Sequence, residues 1–259
     1  MAPFDITYVF SFFPKLLSTL GVTLLIVAGS IGLGLVVGLV VALPRLYQVP
    51  VLQRLSQLYI SFVRGTPILI QLFLFYYGLP ELVRSFGVDI SRYPVLDFVI
   101  VTYGLNSGAF FSEAIRASVT AVDRGQVEAA HAIGMTGYQA FSRIVLPQAL
   151  TIAVPVFANL VIALLKDTSL AFSLGVMELT GKAQSLGTIT QHFTEAYISL
   201  AFIYLAISLT LEKLFTLWER RLSHDERSDA PLPVGFLGRK AAYRKLRAGL
   251  GLEKAGTGV

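Results

Sequence analysis

The 259-residue sequence contains no cysteine, only three histidines and few charged residues. The absence of cysteine excludes disulfides, thiolate metal sites, iron–sulfur clusters and cysteine nucleophiles. His131, His192 and His224 lie far apart and form no HExxH motif, which disfavours histidine-based metal chemistry. Charged residues make up 14% of the chain, against about 25% in soluble domains, and hydrophobic residues make up 54%. This composition excludes a disordered chain and an ordinary water-soluble globule.

Long runs with few or no charges predict a chain that crosses a membrane several times. The first run, residues 16–43, is uncharged and would form about 42 Å of helix, against roughly 30 Å of hydrocarbon. Four further runs cover residues 55–80, 95–122, 144–165 and 193–217. Residues 168–177 are too few to span, so we predict a re-entrant or outer loop there. The sequence therefore predicts an all-α integral membrane protein with five transmembrane helices.

The distribution of Lys and Arg predicts the orientation. The stretch 219–259 carries nine Lys or Arg residues and five Asp or Glu, more than any other loop. The positive-inside rule therefore places the C-terminus in the cytoplasm and, with five spans, the N-terminus outside. Residues 123–147 then form a cytoplasmic loop within a membrane domain of residues 1–222. We predict that residues 223–259 form a flexible basic tail that touches anionic lipid of the bilayer, and we predict no nucleic-acid partner.

Two further patterns concern packing and nucleotide binding. Ser30, Gly34, Gly38 and Ala42 recur at every fourth position, which predicts a ridge where another helix approaches closely. The glycine-containing stretch 175–182 is one residue too long for a P-loop and lacks its Ser or Thr. We therefore predict no bound cofactor, metal or catalytic residue in this chain, and any ATP must be hydrolysed by another chain.

The cytoplasmic loop has an unusual pattern of helix-forming and apolar residues. Residues 126–144 predict two short helices joined at Gly134, because glycine supplies the left-handed turn that ends a helix. Pro147 suits the first turn of the fourth span. Two such helices can lie on the membrane surface or fill a groove in a partner protein.

The spacing within this loop resembles a known family. Glu128-Ala129-Ala130 is followed after three residues by Gly134 and after nine more by Ile144-Val145-Leu146-Pro147, which resembles the EAA loop of bacterial ABC import permeases. Further matches indicate the branch that takes up polar amino acids of the histidine, glutamine, arginine and cystine type. They are Arg64-Gly65-Thr66-Pro67, Gln71-Leu72, Tyr76-Tyr77-Gly78-Leu79-Pro80, Glu113, Arg116, Gly125-Gln126, Pro147-Gln148-Ala149, Pro155, Asn159 and Lys166-Asp167-Thr168-Ser169-Leu170. Ala117-Ser118 departs from the two glycines frequent in that branch.

The resemblance implies a permease subunit that moves an amino acid across the bacterial inner membrane. It assigns Glu128, Ala129, Ala130 and Gly134 to a coupling helix that docks on a separate ATP-binding cassette subunit, which would hold ATP and magnesium. Glu128 would pair with an Arg of that subunit, and a carboxylate near a helix start is favoured by the helix dipole. The family also implies an extracytoplasmic amino-acid-binding protein and a second permease chain. A homodimer is favoured and a heterodimer with a similar chain stays open.

A path for a zwitterionic substrate needs partners for an ammonium and a carboxylate group. We hypothesise that the pair Lys166 and Asp167, with a set of neighbouring polar residues and Arg64, lines this path. That set comprises Asn159, Thr168 and Ser169. The alternatives are an interfacial ion pair at Lys166–Asp167, and an Arg64 that is simply satisfied by Glu113 or a backbone carbonyl.

Two other function classes were weighed. A stand-alone ion-coupled secondary transporter should show an inverted repeat, which we do not find, and it has no use for the EAA spacing. A membrane enzyme should show clustered His, Cys or paired carboxylates inside the spans, which are lacking. The identity of the amino acid carried is not determined by the sequence.

Overall fold

The computed structural model describes residues 3–222, which form nine helices and contain no β-strand. The basic tail predicted for residues 223–259 lies outside the described residues. The helices are α1 (Ile6–Leu17), α2 (Leu20–Leu46), α3 (Pro50–Gly65), α4 (Ile68–Arg84), α5 (Val95–Thr120), α6 (Arg124–Ala132), α7 (Gly137–Leu174), α8 (Leu179–Thr190) and α9 (Phe193–Leu222).

The first membrane-length helix begins later than its apolar run predicts. The run starts at residue 16, but Leu16 and Leu17 still belong to α1, and α2 starts only at Leu20. The hydroxyl groups of Ser18 and Thr19 donate to the carbonyls of Lys15 and Leu16, and these local bonds compete with a continuous helix. The predicted boundary was therefore wrong, and α1 is a separate helix that hydropathy alone merges with α2.

Helices α2 and α5 form the closest contact in the described chain. Gly29 lies against Ile100, Gly34 against Gly104 and Ser107, and Gly38 against Gly108, Phe111 and Ser112. The predicted ridge is confirmed, because Ser30, Gly34, Gly38 and Ala42 are all buried. Since the contacting positions rise together along both helices, α2 and α5 run parallel. The stretch between them must therefore return the chain to the side where α2 begins.

The segment between α2 and α5 is bent. The run 55–80 was predicted as one stretch, but it comprises α3 and α4, which meet at 109°. Thr66 has φ −120° and ψ 142° because it precedes Pro67, and a residue before proline is pushed out of the helical region. The bend therefore lies at the Thr66-Pro67 dipeptide.

Two other prolines, Pro80 and Pro147, lie inside helices that continue through them. A π-helical turn, Leu74–Gly78, precedes Pro80 in α4, and another, Phe141–Val145, precedes Pro147 in α7. Each wide turn accommodates a proline that lacks an N–H group and clashes with the carbonyl four residues earlier. The fourth span was predicted to start near Pro147, but the helix already runs from Gly137, so that boundary was wrong.

The C-terminal end of α7 also differs from prediction. Residues 168–177 were predicted to form a loop, whereas Thr168–Leu174 extend α7 as a 3-10 helix. Gly175 then ends the helix with φ 83°, a left-handed conformation that favours glycine. Tyr103 of α5 lies next to Asp167, and Phe111 stacks on Phe157, so α7 runs antiparallel to α5.

Within residues 3–222, four helices are long and apolar enough to cross a membrane: α2, α5, α7 and α9. The bent pair α3–α4 makes five if it counts as one span. Helix α8 is shorter and packs under α1 and α9 in a core that includes Phe12, Leu179 and Leu200. An all-helical membrane architecture with four or five spans is therefore established.

Candidate functional sites: a docking segment and two polar pockets

The first candidate site is the helix α6 and the turn that follows it. Asp123 caps α6, and its Oδ1 accepts a hydrogen bond of 2.7 Å from the Gly125 N–H. Glu128 is the fifth residue of α6, so the expectation that it lies near the helix start was wrong. The helix dipole is complemented by Asp123, and Glu128 is an exposed charge in mid-helix.

The turn after α6 is held by several hydrogen bonds. The Met135 N–H donates to the Ala130 carbonyl, and the Gly134 N–H donates to the His131 carbonyl, each at 3.0 Å. This is a Schellman motif, and Gly134 supplies its left-handed residue with φ 86°. The predicted short helix and its turn at Gly134 are therefore confirmed, whereas the second predicted short helix is the start of the long helix α7.

The start of α7 is fixed in the same way. Thr136 and Gln139 form a reciprocal capping box in which each side chain accepts from the other residue's N–H. Gln148 further donates to the side chain of Gln126 at 2.9 Å and so ties α7 to α6. The whole segment can therefore move as a rigid unit.

The exposed side chains of this segment include Glu128, Ala129, Ile133 and Tyr138, which together form a candidate docking patch. Ile133 and Tyr138 are each 80% exposed, which is unusual for large apolar side chains. Ala130, in contrast, is only 4% exposed and faces its own chain, so it is not available for docking. Sequence reasoning missed Ile133 and Tyr138, although apolar residues in a loop predicted to be cytoplasmic were a usable signal.

Pocket A lies between α5 and α7. Its lining comprises Asn106, Ser107, Phe110, Phe111, Leu160, Ala163, Leu164 and Asp167. Its volume of about 90 Å³ is small beside the 300–1,000 Å³ of typical ligand sites, so it has room for only one end of a ligand of that size. Among these lining residues the carboxylate of Asp167 is the charged group. Asn106 and Ser107 were missed because α5 shows no local motif at these positions.

Pocket B lies between α7, α8 and α9 and has a volume of about 560 Å³. Its lining comprises Lys166, Ser169, Thr180, Tyr197, Leu200, Ala201, Tyr204, Leu205 and Ser208. The buried Glu178 lies behind it and accepts bonds from the Thr180 and Gly181 N–H groups and the Tyr204 hydroxyl. Burial raises the pKa of Glu178, although these hydrogen bonds act in the opposite direction.

The structure separates the residues expected to line one path. Lys166 lines pocket B and Asp167 lines pocket A, so the two do not form one charge pair facing a single site. Ser169 accompanies Lys166. Thr168 is fully buried and donates to the Leu165 carbonyl at 2.6 Å, which gives it a structural role in the helix end. Asn159 is exposed on α7 and lines neither pocket.

Arg64 lies at a third, open pocket with Arg45 and Glu113. Its guanidinium lies over the ring of Phe110, with 5.6 Å between the guanidinium carbon and the ring centroid. Glu113 does not pair with Arg64, because its carboxylate binds Arg45 through one oxygen and Arg116, at 3.0 Å, through the other. Glu113 therefore pairs with Arg116 one turn along α5 and with Arg45 of α2.

No group of three or more His, Asp or Glu residues in the described part of the chain is arranged to hold a metal ion.

A family model matches residues 34–224, which include both pockets and the docking patch. Its description is "Binding-protein-dependent transport system inner membrane component". The chain belongs to this family. It is therefore a permease subunit of the inner membrane and not an enzyme, and the stand-alone ion-coupled alternative is set aside.

Three relatives illustrate the likeness. The L-cystine transport system permease protein TcyL of Bacillus subtilis (strain 168) is 46% identical over 86% of this chain and 93% of its own length. The probable amino-acid ABC transporter permease protein PatM of Vibrio harveyi is 40% identical over 85% of this chain and 97% of its own. The probable amino-acid permease protein YxeN of Bacillus subtilis (strain 168) is 39% identical over 88% of this chain and 100% of its own.

Solved structures of ABC transporters have a similar fold. The crystal structure of an amino acid ABC transporter with histidines is 34% identical, with a TM-score of 0.76 over 85% of this chain and 100% of that chain. An inward-facing MetNI methionine ABC transporter is 19% identical, with a TM-score of 0.66 over 82% of this chain and 98% of that chain, and shows the common fold.

Proposed function

We propose that this chain is the permease subunit of an ABC importer for an amino acid, energised by ATP and magnesium on a separate cassette subunit. The rigid segment with its exposed docking patch carries this proposal, because it presents Ile133, Tyr138 and Glu128 away from its own chain. Two apolar side chains beside a charge suit a groove in a partner protein. Glu128, Ala129 and Gly134 keep their assigned coupling role, and Ala130 supports the segment from behind.

The proposed topology has five spans, with the N-terminus outside and the C-terminus inside. The parallel course of α2 and α5 supports it, since α3 and α4 must together cross once in the opposite direction. Helix α8 is too short to span, so α9 returns from the side where α7 ends. The basic stretch after α9 then places the docking segment and the tail on the cytoplasmic side.

In this arrangement residues 1–222 form the membrane domain, residues 123–147 form the coupling loop, and residues 223–259 form a flexible cytoplasmic tail. A second permease chain completes the path, as a homodimer or as a heterodimer with a similar chain, because pocket A is small and pocket B is open. An extracytoplasmic amino-acid-binding protein delivers the substrate. L-cystine is the first candidate, since TcyL, a permease of an L-cystine transport system, is 46% identical.

The substrate path follows the outer end of α7. Pocket A, with the Asp167 carboxylate, suits the ammonium group of an amino acid, and pocket B, with Lys166 and Ser169, suits an anionic group. Asn159 and Arg64 lie toward the cytoplasmic part of the path, and Thr168 fixes the helix end between the pockets. Asp167→Asn and Lys166→Met should each lower uptake while the cassette subunit stays bound. Unchanged uptake in both variants would remove these residues from the path.

Co-purification tests the importer itself. The tagged chain is extracted in mild detergent, and the bound ATP-binding subunit is identified by mass spectrometry. We expect the wild-type chain and Glu81→Lys, an exposed charge reversal outside the coupling loop, to retain that subunit. Glu128→Lys should lose it. A wild-type chain that is purified alone and still transports an amino acid in liposomes would refute the proposal.

A further inference from the structure

The side chain of Gln71 in α4 forms an unusually complete hydrogen-bond network. It is 3% exposed, and its Nε2 lies 2.7 Å from the Val63 carbonyl, 3.0 Å from the Thr66 carbonyl and 2.9 Å from the Thr66 hydroxyl. The two hydrogens of the NH2 group are therefore donated to three acceptors, one hydrogen being shared. Its Oε1 accepts from Asn106 Nδ2 at 3.0 Å. One amide therefore bridges the bend between α3 and α4 to the wall of pocket A.

The chemistry of these partners determines which end of each amide lies where. The Val63 and Thr66 carbonyls can only accept hydrogen bonds, so the Gln71 NH2 group must face them. Gln71 Oε1 must then face Asn106 and accept, which turns the Asn106 NH2 group toward Gln71. Asn106 Oδ1 is left without a hydrogen bond from residues 3–222, at the edge of pocket A.

We propose that Gln71 is a positioning residue for pocket A, an inference that rests on the proposed function. It holds Asn106 so that its oxygen, and not its NH2 group, is offered to the ligand. Pocket A then presents the Asn106 oxygen and the Asp167 carboxylate as acceptors, and an ammonium group is the donor that both can bind. The bend at Thr66 thereby determines the polarity of a pocket that it does not line.

The test compares variants that separate this role from support of the bend. Gln71→Leu removes both the donor and the acceptor, so the Asn106 amide can rotate. Gln71→Glu keeps an oxygen for Asn106 Nδ2, and in a buried site the protonated acid can still donate to one carbonyl. Adding Asn106→Asp to Gln71→Leu offers an oxygen to the pocket in either orientation of the side chain. Gln53→Leu is the matched control, since Gln53 in α3 makes no side-chain hydrogen bond within the described residues.

The measurement is equilibrium binding of radiolabelled L-cystine to the purified permease–cassette complex without binding protein. L-glutamine, L-arginine and L-glutamate serve as further probes, and the probe that the wild type binds most tightly is used throughout. Basal ATP hydrolysis and gel filtration report folding for every variant. Where Gln71→Leu does not fold, Gln71→Met, which is unbranched, replaces it in the same comparisons.

We expect Gln71→Leu to weaken binding about ten- to a hundredfold, as for the loss of one hydrogen bond to a charged group. Gln71→Glu and the double variant should bind within about threefold of the wild type, and Gln53→Leu should be unchanged. If Gln71→Leu binds as the wild type does, or if the double variant is as weak as the single one, the positioning role is wrong while the importer stands. If the wild type binds none of the four probes, the proposed substrate class fails together with this inference.

Discussion

Substitution of Gly38 by alanine tests the close contact between α2 and α5. A Cβ atom at this position would lie 2.8 Å from the Cβ of Phe111, 3.2 Å from the Gly108 carbonyl and 3.2 Å from the Ser112 N–H. Two of these three atoms belong to the backbone of α5, and the third is a Cβ, so none can turn away as a long side chain would. The methyl group can be accommodated only if α2 and α5 move apart.

The expected cost follows from this geometry. Overpacking by one methylene in a well-packed core costs typically 1–3 kcal/mol, which lowers the ratio of folded to unfolded protein by about 5- to 150-fold. Alanine has the higher helix propensity, by about 1 kcal/mol in water, so any loss of stability reports the contact and not the helix. We therefore expect Gly38→Ala to unfold at a lower SDS fraction in mixed micelles, followed by circular dichroism.

Gly32→Ala provides the control on the same helix. Gly32 is exposed, and a Cβ there would meet nothing within 4 Å, so this variant should match or exceed the wild type in stability. Equal unfolding curves for Gly38→Ala and Gly32→Ala would show that the α2–α5 contact is not as close as described, and the parallel pairing of these helices would have to be abandoned.

Three further predictions concern the docking turn, the charge cluster and a buried acid. Gly134→Ala should weaken co-purification of the cassette subunit, because φ 86° costs a non-glycine residue about 1–2 kcal/mol, whereas Gly137→Ala, at an open site in a helix, should not. Glu113→Gln leaves two half-buried guanidinium groups unpaired and should destabilise the chain by about 1–3 kcal/mol in SDS unfolding; Asp89→Asn, which breaks an exposed pair, should cost less than 1 kcal/mol. Since burial raises the pKa of Glu178, the folded state holds its proton more tightly than the unfolded state does. Stability should therefore fall as the pH rises through the interval above the ordinary Glu pKa of about 4.3, and Glu178→Gln should remove this part of the pH dependence of unfolding; an unchanged profile would contradict the assignment.

The sequence predicts the spans well because a bilayer demands long apolar runs, and α2, α5, α7 and α9 each contain one. The sequence does not predict whether a given proline bends the chain or lies inside a continuous helix. Pro67 lies at a 109° bend between two helices, whereas Pro80 and Pro147 each follow a π-helical turn inside a continuous helix. The difference depends on contacts that are distant in sequence, such as the bond from Asn106 to Gln71, which holds the chain just beyond Pro67.

The candidate sites also contain some residues that the sequence predicts and others that it does not. The sequence predicts the glycine turn of the docking segment, since Gly134 acts through its own backbone conformation at a fixed spacing. The sequence does not predict the pocket residues, because the pockets form between helices that are distant in sequence. Lys166 and Asp167 are neighbours in sequence, but adjacent positions on a helix point about 100° apart, and here they line different pockets. Asn106 carries no local signal and is recognisable only through its place opposite Asp167.

The wide turn at Phe141–Val145 also determines the angular phase of α7. A π-helical turn holds one residue more than an α-helical turn, so it rotates everything that follows by about 100° relative to what precedes it. The docking patch lies before this turn, and Lys166 and Asp167 lie after it. The direction in which the two charges face, as seen from the docking patch, is therefore set by a single inserted residue. A relative that lacks this residue would present a different stripe of α7 to its pockets, even with an otherwise identical sequence.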